Sequence, residues 1–297
     1  MPEARVRPDF LFIMYMDMFK TCIRDWHPLA NLVGLPWGGI RFAPRAMKGG
    51  KPTEEYYGLP GLRGMCLLDE AACRRHQDAL PAKVFQFLPD ITYSSLPERE
   101  PKLVAELRAR AAGRAVVFLG GSLDSRKNLA DFSRLARMAD PTRWFFALVG
   151  RVYRDTLSDE DKRELEALAA HDAGNVLLHM DFLDDERDFN AMMHASDILF
   201  AVYKGFPYSS NMLSKAAHLR RPILVSDRYL MGELVRRYGI GLVVPEDDPT
   251  AALTALEELQ ARPVPEEAYA SYCNDFSAQS LGDALEQFFR LCLRRYQ

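Results

Sequence analysis

The stretch Val116-Val117-Phe118-Leu119-Gly120-Gly121-Ser122-Leu123-Asp124-Ser125-Arg126-Lys127-Asn128-Leu129 decides the fold. It opens as a short apolar, β-branched run, breaks at two glycines and continues with helical periodicity. Leu129, Phe132, Leu135, Ala136 and Ala139 fall on one face at spacings of three and four. Strand, tight turn and amphipathic helix in that order make the first half of a βαβ unit. The alternation recurs downstream, with strands expected at residues 115–119, 144–149, 175–179, 197–203, 222–226 and 241–244. Ser158 before Asp159, Glu160 and Asp161 caps one helix and puts negative charge in its first turn, and Gly239 stops another. Right-handed crossovers then put helices on both faces of a parallel sheet.

Upstream, strands are expected at residues 10–16, 38–42, 64–68 and 83–87, but glycine and proline interrupt them. Pro36, Gly38, Gly39, Pro44, Gly49, Gly50 and Pro52 imply a long surface loop, the kind of segment that often carries binding residues. The expected organisation is an α/β chain with a partial N-terminal Rossmann-like domain over residues 1–97 and a linker helix over 98–113. A doubly wound Rossmann-like domain over 114–270 and a C-terminal helix over 271–297 complete it.

A chain of 297 residues has room for two ordinary domains, and 48% apolar with 27% charged residues is a globular balance. A net charge of −3 and a pI near 6.1 create no field that would draw the chain to nucleic acid. The cysteines Cys22, Cys66, Cys73, Cys273 and Cys292 are scattered without Cys-x-x-Cys spacing, so neither a disulfide framework nor a zinc site is expected and a reducing cytoplasm fits. The apolar run at residues 10–16 is too short to span a bilayer and lacks a signal peptide's leader and cleavage site, so no transmembrane segment is expected. Near the C-terminus Arg290, Arg294 and Arg295 share a helix with Phe288, Phe289 and Leu293. An ordinary packed helix with solvated arginines is expected; peripheral contact with a membrane surface is the alternative.

Gly120 and Gly121 stand between a strand end and a helix start, where backbone N–H groups can approach an anion, with Arg126 and Lys127 supplying charge. The plain alternative is a tight turn with two solvated basic residues. A second strand also ends at a glycine, Gly150, followed by Arg151. A third element, Lys204-Gly205-Phe206-Pro207-Tyr208-Ser209-Ser210-Asn211-Met212-Leu213-Ser214-Lys215, starts a helix whose first N–H groups could hold a diphosphate or sugar hydroxyls, although N-capping by Ser209 or Ser210 explains the serines equally well.

In order and spacing, residues 115–259 resemble the C-terminal half of retaining, family-four-type GT-B glycosyltransferases. Gly121-Ser122-Leu123-Asp124-Ser125-Arg126-Lys127-Asn128 resembles their Gly-Arg-Leu…Lys-Gly phosphate loop. Ala195-Ser196-Asp197-Ile198-Leu199 resembles the Ala-Asp-Val strand entry, and residues 216–227 resemble Glu-Ala-x-Ala-x-Gly-x-Pro-Val-x-x-x-Asp. Leu67-Leu68-Asp69-Glu70 and Leu88-Pro89-Asp90 resemble strand ends in the later part of the family's N-terminal domain, so an incomplete N-terminal domain is expected. The resemblance implies a donor diphosphate site at Gly120, Gly121, Ser122, Arg126, Lys127 and Asn128. It implies nucleotide and sugar contacts at Gly150, Arg151, Phe206, Ser209, Ser210, Asn211, Met212, Leu213 and Lys215. Three positions depart from the pattern. Ser122 replaces the loop arginine, and Pro207 and Lys215 replace the two carboxylates of a Glu-x7-Glu pair that binds sugar and ribose hydroxyls. A lysine cannot accept hydrogen bonds, though it can pair with a phosphate.

The implied activity is transfer of a sugar from a nucleotide diphosphate sugar to an unassigned acceptor, a glycan or lipid-linked group among the candidates. Anomeric configuration is retained, in a cleft between the two domains, with no metal and no cofactor beyond the co-substrate, since no Asp-x-Asp motif lies in a suitable loop. No catalytic residue is assigned: His27, His76, Asp17, Asp25, Asp69, Glu70 and Asp90 read as solvated groups, and Trp26-His27-Pro28 and Trp37-Gly38-Gly39 as core or a sugar platform. The alternative is a non-catalytic nucleotide-binding or partner module. A dehydrogenase is disfavoured because Gly-x-Gly-x-x-Gly is absent.

Overall fold

The computed structural model describes residues 8–18 and 34–294. Cys22, Asp25, Trp26, His27, Pro28 and Arg295 lie outside the described residues. The chain divides into two compact units, one holding the residues up to Asp90 together with those from Phe276, the other Ile91–Asp275.

In the first unit β1 (Leu11–Ile13), β2 (Trp37–Arg41), β3 (Leu62–Leu67) and β4 (Val84–Phe87) form a parallel sheet in that order. Helix α1 (Glu70–Ala79) is capped by Asp69, which accepts from the Ala71 N–H at 2.7 Å. One face buries Trp37, Tyr56, Tyr57, Met65 and Phe85. On the other face the C-terminal helix, Ala278–Arg294, buries Phe288 and Cys292 against Ile40, Cys66 and Val84. Phe12, Gly38, Gly64 and Val84 stand side by side across the sheet. A methyl group at Gly38 or Gly64 would come within 3.0 Å of the Phe288 ring, so the two glycines form the groove in which that ring lies. Phe10, Phe12 and Phe289 surround it edge-on. This is the packed helix expected at the C-terminus, with Arg290 paired to Glu286 on its exposed side.

In the second unit β5 (Ala115–Gly120), β6 (Trp144–Val149), β7 (Val176–His179), β8 (Ile198–Ala201), β9 (Ile223–Ser226) and β10 (Gly241–Val244) form a parallel sheet ordered β10-β9-β8-β5-β6-β7. Its helices are α2 (Lys102–Ala111), α3 (Leu129–Met138), α4 (Asp159–Ala169), α5 (Glu186–His194), α6 (Asn211–His218), α7 (Tyr229–Tyr238), α8 (Pro249–Ala261) and α9 (Glu266–Asp275). All six strands expected from the sequence are present. Ser158 and Asp161 close the capping box of α4, and Gly239 ends α7 with φ +69°. Strand β5 starts the sheet at its centre, and the chain turns one way to β6 and β7 and the other way to β8, β9 and β10. The order therefore reverses between β5 and β8, and the loops leaving their carboxyl ends diverge to open a crevice. The core beneath is close-packed, with Phe132 edge-on to Phe146 and Phe200.

Among the described residues no helix is long and apolar enough to cross a membrane. Cys66, Cys73, Cys273 and Cys292 are free thiols; burial pushes Cys73 up to about 12 and Cys66 higher still.

Candidate functional site

A half-open cavity of about 570 Å³ occupies the crevice between the β5 and β8 loops. That size suits a drug-sized or nucleotide-sized ligand. Its floor is glycine backbone. Gly121 has φ +101° and Gly150 φ +140°, values L side chains rarely adopt. A methyl group at Gly150 would stand 1.9 Å from the Gly121 carbonyl oxygen, so the two loops touch backbone to backbone. Gly120 has a different reason: a methyl group there would meet Phe118 at 2.4 Å and Phe189 at 2.8 Å.

The loop N–H groups are less available than the sequence implies. Gly121 donates its N–H to the Val149 carbonyl at 3.0 Å and Leu123 to that of Arg151 at 2.9 Å, which extends the β5–β6 ladder beyond the strands. Charge comes instead from Lys127. Asp124 caps the turn Ser125–Lys127 and Asn128 leaves it with φ +55°, which sets where Lys127 stands on the loop. Its ammonium donates to the Tyr203 hydroxyl, lies 4.1 Å from the centre of that ring, and is 3.6 Å from the space above Gly121. The residue is only 8% exposed, so this cation is held in place by β8-loop aromatic surface.

Arg126 also lines the cavity, but its fork is closed on Asp124, Nε to Oδ1 at 3.0 Å and Nη2 to Oδ2 at 2.5 Å. Burial pushes the Asp124 carboxyl up, and the hydrogen bonds and charge of Arg126 outweigh that and hold it below the ordinary value. Opposite, α6 presents its N-terminus. Ser210 caps it by accepting from the Met212 N–H at 3.4 Å, and the Asn211 N–H has no partner among the described residues. Of the two candidate serine caps, this assigns Ser210.

The remaining wall was not foreseen. Phe182, Leu183, Asp184, Glu186, Phe189 and Tyr203 complete the lining. Glu186, Phe189 and Asn190 occupy one face of α5 at spacings of three and four. Lys215, one turn into α6 from Asn211, is 2% exposed and donates to the Tyr93 carbonyl at 2.8 Å, Glu186 Oε1 at 2.7 Å and Asn190 Oδ1 at 2.6 Å. Three acceptors use all three ammonium protons. The residue lines the site, but it is not the free phosphate partner its charge suggested.

Of the candidate site residues, Gly120, Gly121, Ser122, Arg126, Lys127, Gly150, Phe206, Ser210, Asn211, Met212 and Lys215 line this one cavity. Asn128, Arg151, Ser209 and Leu213 do not line the cavity. Asn128 is 1% exposed and donates to Asp131 at 3.1 Å and to the Glu246 carbonyl at 2.6 Å, so it ties the loop to the far side of the sheet. Leu213 is core and Arg151 lies over Tyr153. In the first unit Trp37 is core, with Nε1 donating to the Pro60 carbonyl at 3.0 Å, and His76 is 2% exposed against Tyr57 and Phe85. Asp17 accepts the N–H groups of Phe42 and Ala43 and pairs with Arg41 at 3.0 Å. No group of three or more His, Cys, Asp or Glu side chains among the described residues could hold a metal ion.

No protein-family model and no curated protein matches the sequence. Solved structures do. Sucrose-phosphate synthase from Thermosynechococcus elongatus aligns over 97% of this chain and 74% of its own at 17% identity, with a TM-score of 0.69. Anabaena HepE in complex with UDP and glucose aligns over 95% and 78% at 14% identity, with a TM-score of 0.71. An α,α-trehalose-phosphate synthase (UDP-forming) from Burkholderia vietnamiensis aligns over 89% and 71% at 15% identity, with a TM-score of 0.65. The chain therefore has the GT-B fold of two Rossmann-like units.

Proposed function

We propose that this chain binds a nucleotide diphosphate sugar in the cavity of its second unit and transfers the sugar to an acceptor hydroxyl. The observation that carries the reading is Lys127, a nearly buried cation fixed above a glycine step at the reversal of strand order, facing the open N-terminus of α6. A cation and a helix N-terminus lining one cavity suit a diphosphate, which one lysine on an exposed turn would not select. That HepE, which shares this fold, was solved in complex with UDP and glucose supports a nucleotide-sugar donor.

In the reaction the bond from the anomeric carbon to the diphosphate breaks, the acceptor oxygen bonds to that carbon, and its proton passes to the departing diphosphate. Charge grows on the departing diphosphate, where Lys127 and the Asn211 N–H stand ready without rearrangement. Arg126, neutralised by Asp124, contributes less. Because the Gly121 N–H is already donated, the diphosphate is held by side chain and helix terminus rather than by the glycine loop. We assign the chemistry to the retaining, metal-independent class without a further cofactor, in a reducing cytoplasm. The acceptor is a glycan or a lipid-linked group.

A second reading, nucleotide binding without turnover, draws on Lys215, which stands where the resemblance implies a hydroxyl-binding carboxylate and has no N–H left for a ligand. Calorimetry with UDP, GDP and ADP tests the site, and saturable binding of at least one is expected. Binding without sugar-nucleotide hydrolysis or transfer across an acceptor panel selects the second reading, and no binding by any of the three rejects both.

A further inference from the structure

We infer that Glu186, clamped by the buried Lys215, is the acceptor for the ribose hydroxyls of the bound nucleotide. The inference rests on the proposed nucleotide site and names a residue that neither the motifs nor the spacing of the sequence singled out. Lys215 is among the largest fully buried side chains, and its ammonium is surrounded by three acceptors from two segments: the Tyr93 carbonyl, and Asn190 Oδ1 and Glu186 Oε1 of α5. Asn190 is itself fixed, its amide nitrogen donating to the carbonyls of Tyr93 at 3.2 Å and Ser95 at 3.0 Å. Two of the three acceptors thus belong to one hydrogen-bonded frame that ties α5 to residues 93–95. The third, Glu186, has a side chain 52% exposed and lines the cavity.

A buried cation with every proton satisfied has one remaining effect on the cavity, which is to hold a carboxylate in a fixed position there. That carboxylate keeps one oxygen and several lone pairs for a ligand. It can accept from hydroxyls and has no proton to offer a phosphate oxygen, so the α5 end of the cavity takes a polyol while the diphosphate stays beside Lys127. Phe189, between Glu186 and the glycine step on the same face of α5, is the apolar spacer separating the two ends. Phe182, 65% exposed on the loop before α5, lines the same wall and offers a stacking face for a base. Base, ribose and phosphate placed along this wall bring the ribose hydroxyls to Glu186.

The test compares the ribonucleoside diphosphate that binds, among UDP, GDP and ADP, with its 2′-deoxy and 3′-deoxy forms, by calorimetry on the full chain and on Glu186→Ala and Glu186→Gln. For the unaltered chain, loss of a ribose hydroxyl weakens binding about tenfold, as for a hydrogen bond to a charged group. Glu186→Ala weakens the ribonucleotide by a similar factor and abolishes the discrimination; Glu186→Gln, which retains a carbonyl oxygen, keeps part of it. Equal discrimination in Glu186→Ala and the unaltered chain overturns the inference and leaves the nucleotide site standing, as does a loss seen with the sugar nucleotide alone. Absence of any nucleotide binding overturns both. Circular dichroism and urea denaturation on both variants control for folding, because Glu186→Ala takes a carboxylate from the buried Lys215 ammonium, whereas Glu186→Gln leaves it a carbonyl oxygen.

Discussion

Two glycine clusters serve opposite ends in this molecule. Gly38 and Gly64 lie side by side within the first sheet, and the room they leave is filled by the Phe288 ring. Gly121 and Gly150 lie past the ends of β5 and β6: the room Gly150 leaves is taken by the Gly121 backbone, and the room Gly121 leaves opens on the cavity beside Lys127. Both clusters look like glycine-interrupted strands in sequence. What separates them is position along the strand: interior glycines admit a neighbouring side chain, whereas glycines with positive φ at the carboxyl ends remove side chains from the place where a parallel sheet meets ligand.

Gly150→Ala should give the largest effect, because its methyl group would overlap backbone, 1.9 Å from the Gly121 oxygen. A loss of more than about 4 kcal/mol is expected, measured by urea denaturation; a well-folded variant would show that the two loops are not in backbone contact. Phe288→Ala should cost about 3 kcal/mol or more in the first unit by emptying the groove over Gly38 and Gly64. Nucleotide affinity should be unchanged, since every lining residue of the cavity belongs to the second unit. Lys127→Met should do the reverse, weakening nucleoside diphosphate binding on the order of 10- to 100-fold with little change in unfolding midpoint.

Asp124→Asn should give the smallest effect. The native carboxyl is held below its ordinary value by Arg126, so its contribution is complete above the unfolded value near 4 and disappears as pH falls through the lowered one. The pair is partly exposed, and a difference of about 0.5 kcal/mol between wild type and variant is expected at pH 6. Urea midpoints should converge as pH falls through the lowered Asp124 value; a difference that grows on acidification would contradict the assignment.

The second sheet was legible because each strand is a contiguous apolar run bounded by local punctuation, and Ser158, Ser210 and Gly239 do locally what their types suggest. The first unit was legible in its strands but not in its glycines, because the partner of Gly38 and Gly64 is a phenylalanine more than two hundred residues downstream. The phosphate end of the site was readable for the same local reason as the sheet. Its α5 wall was not. Glu186, Phe189 and Asn190 form an unremarkable helical face until the fold brings Lys215 and Tyr93 beside it. Asn128 misled in the opposite sense: it sits in the motif, but its bonds run to Asp131 and to Glu246, the latter 118 residues away, and hold the loop rather than a ligand.

The most direct measurement is a crystal structure of the chain with a bound nucleoside diphosphate. The account predicts phosphate density between Lys127 Nζ and the Asn211 N–H, above the glycine step. A nucleotide whose phosphates lie away from Lys127, or that occupies another part of the chain, would contradict it.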